Sequence, residues 1–198
     1  HLTTGEGGMI ILKDDSLAQK LRLLKAFGVN RTHGERNIPG NYDVVGLGYN
    51  YRMSEVHAAI GIEQMKKLPS FLQKRKENFQ GLEAALSGFD SFRILSQPIN
   101  ETLISSHYCM GILLKSNLIE KRPEIMDRLK SLGIGTSIYY PHPVPHMSYY
   151  RDRYGMLDCP NAELISNSII ALPVGPHLDL DDMQYIANGL ASVLKEIN

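Results

Sequence analysis

Three stretches of this sequence hold polar and charged side chains where a purely structural segment would not need them. The first is Thr3-Thr4-Gly5-Glu6-Gly7-Gly8. Its glycines admit positive φ and close backbone approach, which suits a turn laid against a ligand and equally suits a β-hairpin turn. No Gly-Lys-Ser/Thr follows, so it is not a Walker loop. The second, Leu47-Gly48-Tyr49-Asn50-Tyr51-Arg52-Met53-Ser54, carries Asn50 and Arg52 just ahead of a helix start. The unsatisfied amides of such a start, with a forked guanidinium nearby, make a seat for a phosphate; a solvated surface loop is the alternative. The third, Tyr139 to Tyr150, holds three prolines, His142, His146 and four tyrosines. Rigid aromatic and imidazole groups suit a sugar or nucleotide, and an aromatic packing loop would look the same. Two histidines four apart could bind a metal, but the Pro-rich loop lacks helical register and no carboxylate run completes a set, so no metal site is expected. His33, His57 and His107 stand alone and read as structural.

The elements that must position these groups follow from periodicity. Met9 to Leu12 is a buried-strand candidate behind the Gly-rich turn. Asp14-Asp15-Ser16 starts a helix whose apolar face is Leu17, Leu21, Leu24 and Phe27. Gly28 to Gly48 is polar and Gly/Asn-rich, about 20 residues without period, and loops of that length are usually functional or disordered. Ser54 caps a strong helix that Pro69 closes, and Pro69 opens another through about Leu86. Beyond Ser87-Gly88, strands are expected at Ser91–Leu95, Tyr108–Leu114, Thr136–Tyr140 and Ile169–Leu172. Helices are expected from Pro123, over Asn161–Ser168, and from Asp179 or Asp181 with Met183, Ile186, Leu190, Val193 and Leu194 inward. This alternation gives an α/β or α+β second half, with a boundary near residues 68–88.

Composition removes whole classes of function. Lys+Arg and Asp+Glu cancel at 21 each over 198 residues, and no basic stripe exists, so nucleic-acid binding through phosphates is not expected. No apolar run is long enough for a membrane span, and none is expected. Cys109 and Cys159 cannot form a disulfide scaffold and lack metal-site spacing, which points to a reduced, cytoplasmic setting.

Taken in order, Thr-Thr-Gly-Glu-Gly-Gly-Met at 3–9, Leu21-Arg22-Leu23-Leu24 and Asp43-Val44-Val45-Gly46-Leu47-Gly48-Tyr49-Asn50-Tyr51-Arg52-Met53 resemble the DegT/StrS family. So do Glu55-Val56-His57-Ala58-Ala59-Ile60-Gly61, Gln64 to Leu68, Gly133 to Ser137, Tyr140-Pro141 through His146, and Leu172-Pro173. The family comprises pyridoxal-phosphate sugar aminotransferases of the α/β fold type I class. The resemblance implies the C-terminal part of the large cofactor-binding domain at 1–70 and a small α/β domain at 71–198. It also implies that the Schiff-base lysine stands immediately before His1, so this sequence is expected to be a C-terminal portion of a longer chain. Asn50 and Arg52 are then cofactor-phosphate residues, Asn50 reaching the site of a partner subunit in a homodimer with composite sites. His146, with Tyr140 as a neighbour, lines a nucleotide-sugar pocket, although the family has Leu-His where this chain has Pro145-His146. The implied reaction moves an amino group from glutamate to the keto carbon of a nucleotide-linked keto-deoxy sugar. The alternative is a non-catalytic or dehydratase-like relative that lacks the lysine and acts as a sensor or binding protein.

Overall fold

The last helix shows how local sequence sets an element and a core together. Asp179 Oδ1 accepts the N–H groups of Asp181 and Asp182, each at 3.0 Å, while its own N–H donates to Asp182 Oδ2 at 2.9 Å. This reciprocal box satisfies the free amides of the first turn. The helix then buries Met183, Ile186, Leu190, Val193 and Leu194, the expected inward set. The computed structural model describes residues 1–30, 38, 40–96 and 103–197, and elements are numbered along them. They are α1 (Asp15–Leu24), α2 (Glu55–Ala85), β1 (Phe92–Ile94), β2 (Met110–Leu114), α3 (Ser116–Ile119), α4 (Arg122–Ser131), α5 (Ser148–Tyr154), α6 (Pro160–Ser168), β3 (Ile169–Leu172) and α7 (Leu180–Ile197). A short 3-10 turn covers Val144–His146.

The chain divides into two compact units, Leu2–Leu68 and Pro69–Asn198 with His1. In the second unit the strands form an antiparallel sheet in the order β1-β2-β3, with Phe92 opposite Leu114 and Ile112 opposite both Ile94 and Ile170. Every residue of β2 and β3 is buried, as in strands covered on both faces. Leu82, Ile125, Leu129 and Leu190 are completely buried with them in one apolar cluster. In the first unit, α1 has no buried residue; its cap is Asp14, whose Oδ1 accepts the N–H groups of Ser16 and Leu17 at 2.8 and 3.1 Å.

Three expectations are corrected. Pro69 does not separate two helices but lies inside α2. Proline removes a single ladder bond, and the helix-forming runs Gln64 to Leu68 and Phe71 to Arg75 carry the helix through it. Met9 to Leu12 form no strand and are exposed. An apolar run becomes a strand only where a neighbour takes up its backbone hydrogen bonds, and none does among the described residues. Thr136–Tyr140 reduces to one bridge, in which Ser137 and Ala171 exchange backbone hydrogen bonds of 2.8 and 3.2 Å. Of the Gly28–Gly48 loop, residues 31–37 and 39, including His33, lie outside the described residues.

Candidate functional site

In the first unit, the backbone builds the Asn50–Arg52 corner before any side chain takes part. Tyr49 N–H donates to Leu24 O at 2.6 Å, Phe27 N–H to Tyr49 O at 2.9 Å, and Tyr51 N–H to Lys25 O at 2.9 Å. The segment is thereby clasped to the C-terminal end of α1. A Cβ at position 48 would lie 1.9 Å from Gly28 N and 2.1 Å from Phe27 C, so only glycine lets the two backbones meet. Arg52 Nε donates to Asn50 Oδ1 at 3.1 Å, and the guanidinium lies over the Phe27 ring, 4.8 Å from its centroid. This leaves the Asn50 amide N–H groups and the outer guanidinium N–H groups without partners among the described residues.

The Gly-rich turn comes to the same place. Thr4 Oγ1 donates to Glu6 O at 2.7 Å, and Thr3 N–H reaches Gln64 Oε1 on α2 at 3.5 Å. A Cβ at Gly7 would meet Met53 Cε at 2.9 Å, and one at Gly61 would meet Thr4 Cγ2 at 3.3 Å. Ser54 Oγ accepts the His57 N–H at 3.3 Å, which caps α2. Two stretches far apart in sequence thus meet at the start of α2.

In the second unit, His146 is held at both ring nitrogens. Nε2 lies 2.8 Å from Leu157 O and Nδ1 lies 3.2 Å from Glu163 Oε1, with only 11% of the side chain exposed. The two contacts, on opposite sides of the ring, fix its orientation. Tyr140 falls in a different cluster: it is exposed and its ring lies 5.5 Å from that of Tyr139, which in turn lies 5.9 Å from Tyr108. The Tyr108 phenol is pushed up above its usual range, first by its hydrogen bond with Tyr139. Tyr108 and Tyr139 border a cleft of about 320 Å³ that also takes in Arg75, Cys109, Ser137 and His177. Sequence reasoning did not single out Glu163, Arg75 or the buried Asn78. The spacing of Arg75 and Asn78, three apart on one helix, was the available signal.

The comparisons decide the family. A model of the DegT/DnrJ/EryC1/StrS aminotransferase family matches residues 1–191. The chain belongs to this family. It is 30% identical over 198 residues to a UDP-4-amino-4,6-dideoxy-N-acetyl-beta-L-altrosamine transaminase of Campylobacter jejuni, covering 99% of this chain and 50% of that protein. Among solved structures it is similar to the aminotransferase TlmJ of Streptoalloteichus hindustanus, with TM-score 0.84 and 25% identity over 98% of this chain and 49% of that one. It is also similar to the sugar aminotransferase CalS13 of Micromonospora echinospora, with TM-score 0.82 and 26% identity over 96% and 48%. The chain spans about half the length of the relatives it matches. The fold is that of the type I pyridoxal-phosphate enzymes, and pyridoxal phosphate is the family's cofactor. The Asn50–Arg52 corner fits its phosphate: donors without partners stand at a helix start, on a backbone locked by Gly48. Among the described residues, no helix is long and apolar enough to cross a membrane.

Proposed function

We propose that the complete protein transfers an amino group from glutamate to the keto carbon of a nucleotide-linked keto-deoxy sugar. The observation that carries this is the Asn50–Arg52 corner in a chain of this family. Asn50 donates its amide N–H to a phosphate oxygen, and Arg52 supplies a permanent positive charge beside it. The Arg52–Asn50 hydrogen bond and the Phe27 ring fix the guanidinium, so little rotamer freedom is lost on binding. Bound pyridoxal phosphate supplies the electron sink for charge developing at the amino-bearing carbon. A Schiff-base lysine of the complete protein would move the proton. His146, held by Glu163 and the Leu157 carbonyl, orders the 141–158 segment on the sugar side, and Tyr140 presents an exposed ring from the separate Tyr108–Tyr139 cluster. The active unit is a homodimer in which Asn50 serves the partner's site.

The test uses the protein expressed from its complete reading frame, with pyridoxal phosphate, glutamate and nucleotide-linked keto sugars. The expected products are 2-oxoglutarate and an amino sugar heavier by the replacement of O with NH₂ and H, read by mass spectrometry. A protein that takes up no cofactor and forms no 2-oxoglutarate with any such sugar belongs instead to the non-catalytic relatives.

A further inference from the structure

The second unit contains a cation that the fold fixes in place but does not neutralise. Arg75, on α2, donates from Nη1 to Tyr108 O at 2.8 Å, and its guanidinium lies 5.8 Å from the centroid of the Tyr108 ring. Its Nε is buried and has no hydrogen-bond partner, and no carboxylate pairs with it among the described residues. The cleft beside it is walled by three segments, each tied down separately. Arg75 itself holds Tyr108. The β3 edge holds Ser137 through Ala171. Asn78, one turn along α2, donates from Nδ2 to Gly175 O at 2.9 Å and Leu178 O at 3.0 Å, which fixes the turn carrying His177. Among the described residues no acidic side chain lines the cleft, while a guanidinium, an imidazole, two phenols and the hydroxyls of Thr136 and Ser137 do. A preorganised cleft with one unpaired guanidinium and an excess of donors selects an anion bearing several oxygens.

We propose that the cleft between Arg75, Ser137 and His177 binds an anionic oxygen group, a carboxylate or phosphate, of one of the protein's reactants. Its volume of about 320 Å³ takes such a head group with a short stem. Which reactant supplies the group rests on the function proposed above: a carboxylate of the amino donor or the diphosphate of the nucleotide.

Cys109 lines the same cleft, and Cys159 lies outside its lining, so their alkylation reports on occupancy. Burial pushes the Cys109 thiol up, and labelling is therefore run at alkaline pH. The complete protein is treated with iodoacetamide at constant ionic strength, and both cysteines are followed by peptide mass mapping. Inorganic phosphate is expected to slow Cys109 several-fold and saturably while leaving Cys159 unchanged. Glutarate protecting where uridine diphosphate does not assigns the cleft to the amino donor, and the reverse assigns it to the nucleotide. Arg75→Gln should raise the half-protecting concentration at least tenfold. Ser137→Asp, which keeps the guanidinium but gives it a carboxylate, should do the same, and it serves should Arg75→Gln not fold. Absence of protection by all three probes, or equal protection in the variants, overturns the proposal. The readout needs neither cofactor nor turnover. Protection in a protein without transaminase activity sinks the proposed function alone, and turnover without protection sinks this proposal alone.

Discussion

Asn50 illustrates how one side chain divides its bonding capacity. Its carbonyl oxygen is taken by Arg52, which leaves its amide N–H groups, without partners among the described residues, available to an anion. Losing one hydrogen bond to a dianion costs roughly 1.5–3 kcal/mol. Asn50→Ala in the complete protein is therefore expected to weaken pyridoxal-phosphate affinity about ten- to a hundred-fold, measured by titrating the cofactor against its absorbance. His146 sits on another unit and touches other groups. We expect His146→Ala to lower turnover of the sugar nucleotide while the cofactor spectrum stays as in the parent; a lost cofactor band would show that the role is misassigned. Buried His107 adds a pH dependence. It is 7% exposed, its ring lies 4.7 Å from Phe79, and its Nδ1 has no hydrogen-bond partner among the described residues. Burial first, then Lys76, holds its pKa below the ordinary 6.5, with Glu83 opposing. The unfolded chain thus takes up the proton at higher pH than the folded one. His107 favours folding fully above about 6.5 and progressively less as pH falls through that value. A urea-midpoint series from pH 8 to 5 should fall toward acid, and His107→Gln should flatten the slope.

At the scale of elements, the clasp between α1 and residues 44–51 is the device that delivers the corner to the start of α2. It consists of backbone hydrogen bonds, including Val45 N–H to Gly28 O at 2.9 Å, and it works because Gly28 and Gly48 have no Cβ. Gly48→Ala would force backbone against backbone, where no rotamer change relieves the overlap. Overpacking of this kind typically costs about 1–3 kcal/mol, so a lower urea midpoint is expected together with weaker cofactor binding. Unchanged stability with unchanged binding would mean that the clasp is not what holds Asn50. Asn78 does the equivalent work for the cleft: one buried amide spans two carbonyls of the 175–178 turn.

For the whole molecule, the many exposed apolar residues of the first unit matter most. Ile10, Ile11, Leu47, Tyr51 and Val56 are each more than two-thirds exposed in this chain taken alone. Apolar surface of this extent is characteristic of faces covered by further protein, and the chain spans about half the length of its relatives. If Asn50 acts in trans, as proposed, two inactive variants should complement. One lacks the cofactor-linked lysine and the other carries Asn50→Ala. In a mixed dimer both lesions fall in one site and the second site is intact, so activity returns on mixing. If Asn50 serves its own subunit, every site keeps a lesion; a dead mixture with subunit exchange demonstrated would remove the composite site.

Local rules settled much of this protein before any tertiary contact. The caps at Asp14, Ser54 and Asp179, the inward face of α7 and the strand at Ile169–Leu172 all follow from spacing and from hydrogen-bonding capacity within a few residues. The corner at Asn50 and Arg52 was legible too, because a polar pair before a helix start is a local pattern. Partners far along the chain were not. Whether Met9–Leu12 becomes a strand depends on a neighbour's free backbone groups, and α2 runs through Pro69 because its surrounding turns outweigh one missing bond. The engagement of His146 by Glu163, 17 residues on, and of Asn78 by Gly175, 97 residues on, exists only once α6 and the turn after β3 are packed in place. Sequence spacing reports bonds within a turn or two of helix, whereas these contacts are set by which surfaces the core brings face to face.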